Sequence, residues 1–189
     1  MLRRLLFLLL LTSAHAWAAE DLAERVIARL ASYPVVRADF VQERMLPSLA
    51  RPVTSSGRMV LSREQGLLWQ VEEPVKVAMV FTASGAPGAG AAQAEMGRLV
   101  RAILTGDLRE LRSSFALEPQ GEPERWTIRL VPKARELAQY LRTIELAGGN
   151  HLEKIAIDEA SGERLVVRMR NFTVAAELEP AERKALSLP

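Results

Sequence analysis

Hydrophobic spacing changes period several times along this chain, and each change marks an expected element. From Glu20 to Ser32, Leu22, Val26 and Leu30 recur at i, i+4 and i+8, with Ala23 and Ile27 beside them, and Tyr33-Pro34 follows. That stripe predicts an amphipathic helix burying one face, started by Asp21 and stopped by the proline. Val35 to Arg44 then alternates, with Val36, Ala38 and Phe40 on one side and Arg37, Asp39 and Glu43 on the other, which predicts a strand. Alternation returns in Gly57–Ser62 (Met59, Leu61), in Leu67–Glu72 (Leu67, Trp69, Val71) and in Val75–Thr82 (Val75, Val77, Met79, Phe81). The links Arg63–Gly66 and Glu73-Pro74 suit hairpins, so these strands should form an antiparallel meander. The polar alternates Gln70, Lys76 and Arg129 should point away from the covered face.

Ala83–Ala94 is rich in Gly, Ala, Pro and Ser and breaks the pattern. Its Gly88-Ala89-Gly90 invites a dinucleotide-binding reading, but Gln93 stands where a third glycine is needed and no parallel βαβ unit surrounds it, so the stretch reads as a loop. Met96, Leu99, Val100, Ile103 and Leu104 restore a helical stripe, closed by Gly106, and Asp107 can cap a short helix through Arg112. Ser114–Glu118 and Trp126, Ile128 and Leu130 read as strands around a turn at Gln120–Glu124. Lys133–Arg142 reads as a helical turn or a loop. Ile144–Leu146, Glu153–Ile157 and Leu165–Val174 read as strands joined at Gly148-Gly149 and Ser161-Gly162. The sum is an α+β fold: a strongly curved, incompletely closed antiparallel β-barrel or half-barrel of eight or nine strands, covered by a lid of two or three helices around an apolar cleft.

The N-terminus changes how the composition is read. Arg3-Arg4 precede an apolar run from Leu5 to Leu11, and Ala14-His15-Ala16 and Ala16-Trp17-Ala18 both fit a small-x-small cleavage site. This predicts a secretory signal peptide over residues 1–18. The run is about half the length that a membrane-spanning helix needs, roughly 20 residues. A single domain over 19–176 and a polar tail over 177–189 should follow. The whole chain has 25 Lys+Arg against 23 Asp+Glu. Arg3 and Arg4 leave with the signal, which brings the two into balance and removes the case for a basic, nucleic-acid-binding protein. The absence of cysteine excludes thiol catalysis, thiolate metal sites and a lipid-attachment cysteine. Export without disulfides suits a periplasm.

Little catalytic chemistry is left. His151 is the one histidine beyond the signal, in a Gly148-Gly149-Asn150-His151 turn that reads as solvated, and it cannot build a multi-histidine metal site. Asp39 with Glu43, or Glu72 beside Glu73, could serve a carboxylate-dependent hydrolase, but alternating charges on half-exposed strands explain them equally. We expect no enzyme, no catalytic residues, no metal and no cofactor.

Residues Val60 to Pro74 carry a resemblance. Arg63, Trp69 six positions later and Pro74 five beyond it keep the intervals of the LolA-type periplasmic outer-membrane lipoprotein carriers. In chain order, Phe40-Val41-Gln42 resembles that family's F-x-Q, Ser56-Gly57 its next element, and Leu130-Val131-Pro132-Lys133 its L-x-P-K. Ile155–Gly162 and Arg170-Asn171-Phe172 resemble its closing hairpin. The resemblance implies an open antiparallel barrel lidded by helices. It also implies a monomeric periplasmic carrier that takes an acylated lipoprotein, or another lipid cargo, from an inner-membrane transporter to an outer-membrane receptor. Arg63 would hydrogen-bond the sheet to the lid. Phe40, Met59, Leu61, Trp69, Val77, Met79, Phe81, Leu99, Ile103, Trp126 and Ile128 would line the lipid cavity. The Gly/Ala-rich loop before Met96 and the polar C-terminus depart from the family pattern and mark a divergent member, one suited to a dedicated lipid or acylated product. The alternative is a non-catalytic periplasmic interaction module. Intact mass of the exported protein should place its N-terminus at Trp17 or Ala19; retention of residues 1–16 would contradict the signal reading.

Overall fold

The computed structural model describes residues 22–81, 102 and 106–187. Helix α1 (22–31) is followed by strands β1 (Val35–Met45), β2 (Val53–Ser62), β3 (Gly66–Glu73) and β4 (Val77–Phe81). Helix α2 (Leu108–Ser114) leads into β5 (Phe115–Glu122) and β6 (Arg125–Pro132). Helix α3 (Arg135–Ala138), strands β7 (Leu141–Gly148), β8 (Leu152–Glu159) and β9 (Arg164–Ala175), and helix α4 (Pro180–Leu186) complete the order. The loop at Ala83–Ala94 and most of the expected Met96–Leu104 helix, Leu99 and Ile103 included, lie outside the described residues; Ala102 is helical and fully buried.

The strands form one curved antiparallel sheet in the order β4-β3-β2-β1-β9-β8-β7-β6-β5. Its edges, β4 and β5, are not hydrogen-bonded to each other, so the barrel stays open. Two meanders are joined where β1 lies beside β9, with Phe40 opposite Met169 and Gln42 opposite Val167. Pro119 sits on β5, an edge strand, which is where a residue without an N–H is tolerated.

The β1–β9 register slips between Arg37 and Asp39, and the extra residue falls on β9. Asn171 takes it up with φ +57°, a left-handed conformation that asparagine tolerates better than most residues. Simple alternation after Val167 and Met169 would have turned Asn171 inward. The bulge turns Phe172 toward the core instead, and Asn171 Nδ2 donates to Asp39 Oδ2 on the outer face at 2.6 Å.

The inner face carries the main core. Leu22, Ala23, Val26, Ile27 and Leu30 of α1 pack with Val36, Ala38, Met59, Leu61, Leu67 and their neighbours on the sheet. Gly106 takes φ +67°, and Asp107 N–H donates back to the Ala102 carbonyl at 2.9 Å, a pattern typical of a helix end. Asp107 then caps α2 by accepting from Glu110 N–H at 3.1 Å, as its sequence position predicts.

Several boundaries move. β2 starts at Val53, four residues before the expected Gly57. β5 runs on to Glu122, so the turn shrinks to Pro123-Glu124. β4 begins at Val77, leaving Val75 and Lys76 in the turn. The largest correction is the C-terminus. The expected polar tail contains α4, which lies on the outer face of the sheet: Leu178 and Leu186 are buried with Val35, Val60 and Leu68 in a second, smaller core. Its apolar positions are few because it covers only a patch.

Arg37 of β1 clamps that helix. Its Nε and NH2 donate to the two Glu182 carboxylate oxygens, each at 2.6 Å, and its NH2 also reaches the Glu177 carbonyl at 3.4 Å. Glu179 N–H donates to Glu182 Oε2 at 2.8 Å. The Arg37 hydrogen bonds hold the Glu182 carboxyl below its ordinary value of 4.5; partial burial opposes this and the Glu179 N–H adds to it. A depressed carboxyl pKa contributes stability that is complete above the unfolded value and is lost as pH falls through the folded one. Glu182→Gln should therefore destabilise the fold by roughly 1–3 kcal/mol at pH 7, and the gap from wild type in chemical denaturation should close as pH drops below 4.5. A gap unchanged at pH 3 would remove the ion pair from the account.

Candidate functional site

The inner face between α1 and the sheet gathers the apolar residues singled out from the sequence. Met59 pairs with Ala38 on β1 and with Trp69 on β3, and Trp69 pairs in turn with Met79 on β4, so these side chains share one face. Leu61, Leu67 and Phe81 form a parallel row. Across the sheet, Trp126, Ile128 and Leu130 of β6 project to the same core, while Arg129 sits outside beside Glu118. Gln70 and Arg58 likewise lie on the outer face.

Glycine shapes the centre of this surface. Gly57 lies opposite Phe40 on one side and Val71 on the other, at a register shift between β2 and β3. A Cβ there would overlap the Gln70 carbonyl, so no other residue fits without moving β3. With no side chain between them, Phe40 reaches across β2 and stacks on Trp69, ring centroids 3.9 Å apart and planes within 22°. Trp126 is fixed differently: its Nε1–H donates to the Gly149 carbonyl at 2.8 Å, which ties β6 to the β7–β8 turn.

Among the described residues, this surface is tightly packed. Phe40, Met59, Leu61, Trp69, Trp126 and Ile128 are all at most 8% exposed and pack as core, so they do not line an open cavity here. The apolar crevice they leave, bordered by Leu30, Tyr33, Val36, Met59, Leu61, His151, Leu152, Met169 and Phe172, measures about 20 Å³. That is room for about one water. Phe81 is half-buried against the core, whereas Val77 and Met79, on the edge strand β4, are 48% and 40% exposed. They share the face of Trp69 without sharing its burial.

His151 departs from the expected solvated turn residue. Its ring stacks on Phe172 (4.8 Å, 11°) and leans on Tyr33 (5.2 Å, 40°), and its Nδ1 is buried with no hydrogen-bond partner. Tyr33 Oη donates to the Asn150 carbonyl at 3.2 Å, and Arg29 NH1 reaches Asn150 Oδ1 at the same distance, so the end of α1 is fastened to the β7–β8 turn. This aromatic trio at the rim of the crevice was not picked out from the sequence. Only the Asn171 bulge brings Phe172 to it, and no local pattern signals a bulge.

Arg63 lies at the exposed turn between β2 and β3, outside the apolar interior. Its backbone N–H donates to the Pro34 carbonyl at 3.1 Å, which fixes the turn against the end of α1. The residue borders a largely polar groove of about 600 Å³ that also involves Ser32, Glu64, Glu177 and Arg183.

Three of the four carboxylates considered for hydrolysis are engaged elsewhere, and the fourth, Glu73, is exposed at the end of β3. Glu43 accepts from Arg168 at 2.6 Å, Glu72 from Arg58 at 2.6 Å, and Asp39 from Asn171. Among the described residues, no group of three or more His, Asp or Glu side chains is placed to hold a metal ion. Nor does any described helix have the length and apolarity to cross a membrane.

Comparisons place this geometry. No curated protein sequence matches the chain. Among solved structures, MucB superposes with a TM-score of 0.54 at 13% identity, over 87% of this chain and 62% of MucB. The complex of Pseudomonas aeruginosa MucA and MucB gives 0.52 at 13% identity, over 91% and 61%. The chain thus spans about three-fifths of MucB, and at this identity the likeness is one of fold. A LolA superfamily protein from Nitrosomonas europaea aligns over 86% of this chain and 96% of its own, with 11% identity and a TM-score of 0.48. Residues 75–176 match the family described as outer membrane lipoprotein carrier protein LolA-like. With more than half of its length matched and the half-open, helix-covered antiparallel sheet in place, the chain belongs to this LolA-like family.

Proposed function

We propose that this protein is a periplasmic carrier that shields the acyl chains of a lipoprotein, or of a related lipid product, between the inner and outer membranes. The observation that carries the reading is the inner face itself. It is a continuous apolar surface on a sheet that does not close, covered by α1 and with Ala102 buried against it. Such a surface opens by moving helices and leaves the strand ladders intact.

The energetics favour exchange between lid and cargo. An acyl chain of about sixteen carbons left in water costs on the order of 12 kcal/mol. Exposing the α1 stripe costs roughly 1.5–3 kcal/mol for each large apolar residue. Cargo that covers the same surface offsets that cost, so opening and binding are coupled. The Tyr33–His151–Phe172 trio is then where the end of α1 must part from the sheet. Arg63, with up to five guanidinium donors at the turn whose backbone meets Pro34, would hold the lid to the sheet. Donor and acceptor are an inner-membrane transporter and an outer-membrane receptor, and the carrier works as a monomer without cofactor or catalysis.

A solvatochromic apolar probe should bind the purified protein and be displaced by long-chain acyl compounds. Replacing Leu99 and Ile103 with polar residues should weaken displacement by roughly tenfold or more while the circular dichroism of the sheet is kept. A non-catalytic interaction module would bind no probe. Unchanged acyl affinity in the double variant would take the Leu99–Ile103 segment out of the mechanism.

A further inference from the structure

The two ends of the sheet differ in what they show to solvent. The register places the β1–β2 turn (46–52), the β3–β4 turn (74–76), the β8–β9 turn (160–163) and α3 at one end. Among the described residues, eight large apolar side chains are exposed, and five of them stand at this end: Met45 (41%), Leu49 (50%), Val53 (49%), Val75 (66%) and Tyr140 (75%). They are neighbours along a rim. Pro47 lies beside Gly162, and Ala160 N–H donates to the Tyr140 carbonyl at 2.9 Å. At about 4.8 Å per strand, the rim from β4 to β7 is roughly 30 Å long. The opposite end presents Arg63, Glu64, Gln65, Glu124 and Asn150.

Charge reinforces the difference. Five exposed cations, Arg51, Lys76, Lys133, Arg135 and Arg142, surround the apolar tips, against the exposed carboxylates Glu72, Glu73 and Glu136, of which Glu72 is paired with Arg58 at 2.6 Å. Glu159 and Glu163 are tied to Arg44 at 3.4 and 2.8 Å. The segment 45–57 contains no acidic residue.

We propose that this rim docks on the surface of an anionic lipid bilayer, with Leu49, Val75 and Tyr140 entering the headgroup–acyl boundary and Arg51 and Lys76 on the headgroups. Apolar residues on separate turn tips, a tyrosine and flanking cations match a wet, flat, negatively charged interface. A protein partner would be served by a concave groove, whereas these side chains stand on the convex tips of turns along one edge. The proposal goes beyond the carrier reading, since a protein that takes no cargo could dock in the same way.

The test is flotation of the exported protein with vesicles of phosphatidylcholine alone or mixed with phosphatidylglycerol. Wild type should float with the anionic vesicles, less with the neutral ones, and less as salt rises. Leu49→Ser with Val75→Ser should weaken association roughly tenfold or more, while Val174→Ser, at the other end, should not. Because the chain has no cysteine, a dye on Ser48→Cys reports the tip directly and should shift to the blue when anionic vesicles are added. Failure of wild type to float, equal binding to neutral and anionic vesicles, an unshifted dye, or full binding by the double variant would each overturn the proposal. Apolar-probe uptake measured on the same samples reports the carrier function separately, and its loss would leave the docking result standing.

Discussion

The pairing of β1 with β9 is the constraint on which the rest of this molecule depends. It joins strands separated by more than a hundred residues and turns two meanders into one sheet. Such a contact carries a large loop-closure cost and is stabilised only when the surfaces it brings together are buried. Here they are buried on both sides: α1 covers the inner face, and α4 covers a patch of the outer face near β1. The bulge at Asn171 lies within this pairing and decides that Phe172 faces the core.

Among the described residues, the crevice between the end of α1 and the sheet has room for only about one water, yet the family the chain belongs to is named for carrying lipoproteins. The two facts are compatible because the sheet and its cover are held by different forces. The sheet is tied by backbone hydrogen bonds, which are directional and cooperative. The cover is tied by apolar contact, which any other apolar surface can replace at similar free energy. Around the contact, polar fastenings such as Tyr33 to Asn150 and Arg29 to Asn150 are partly exposed and individually weak. The Arg37–Glu182 pair is of another kind. It is largely buried and bidentate, and it holds a helix on the face that carries no lid.

Local chemistry was plain in the sequence. Alternation at Val36, Ala38 and Phe40 predicted the inner face of β1, and the stripe of Leu22, Val26 and Leu30 predicted the buried side of α1. Asp107 announced a cap, and the half-open antiparallel sheet followed from short links between alternating runs. These features depend on residues within a few positions of one another, so spacing alone reveals them.

What the tertiary structure decided depends on residues far apart in the chain. Val77 and Met79 carry the same inward pattern as Trp69, but β4 is an edge strand, so half of each remains in solvent. His151 sits in a turn sequence and is stacked because a bulge on another strand delivers Phe172 to it. The C-terminal residues read as a tail, since Leu178 and Leu186 are too few to mark a core until Val35, Val60 and Leu68 form the patch they cover. Periodicity tells which side of an element is apolar; which surface meets it is a matter of long-range register, and that only the folded chain supplies.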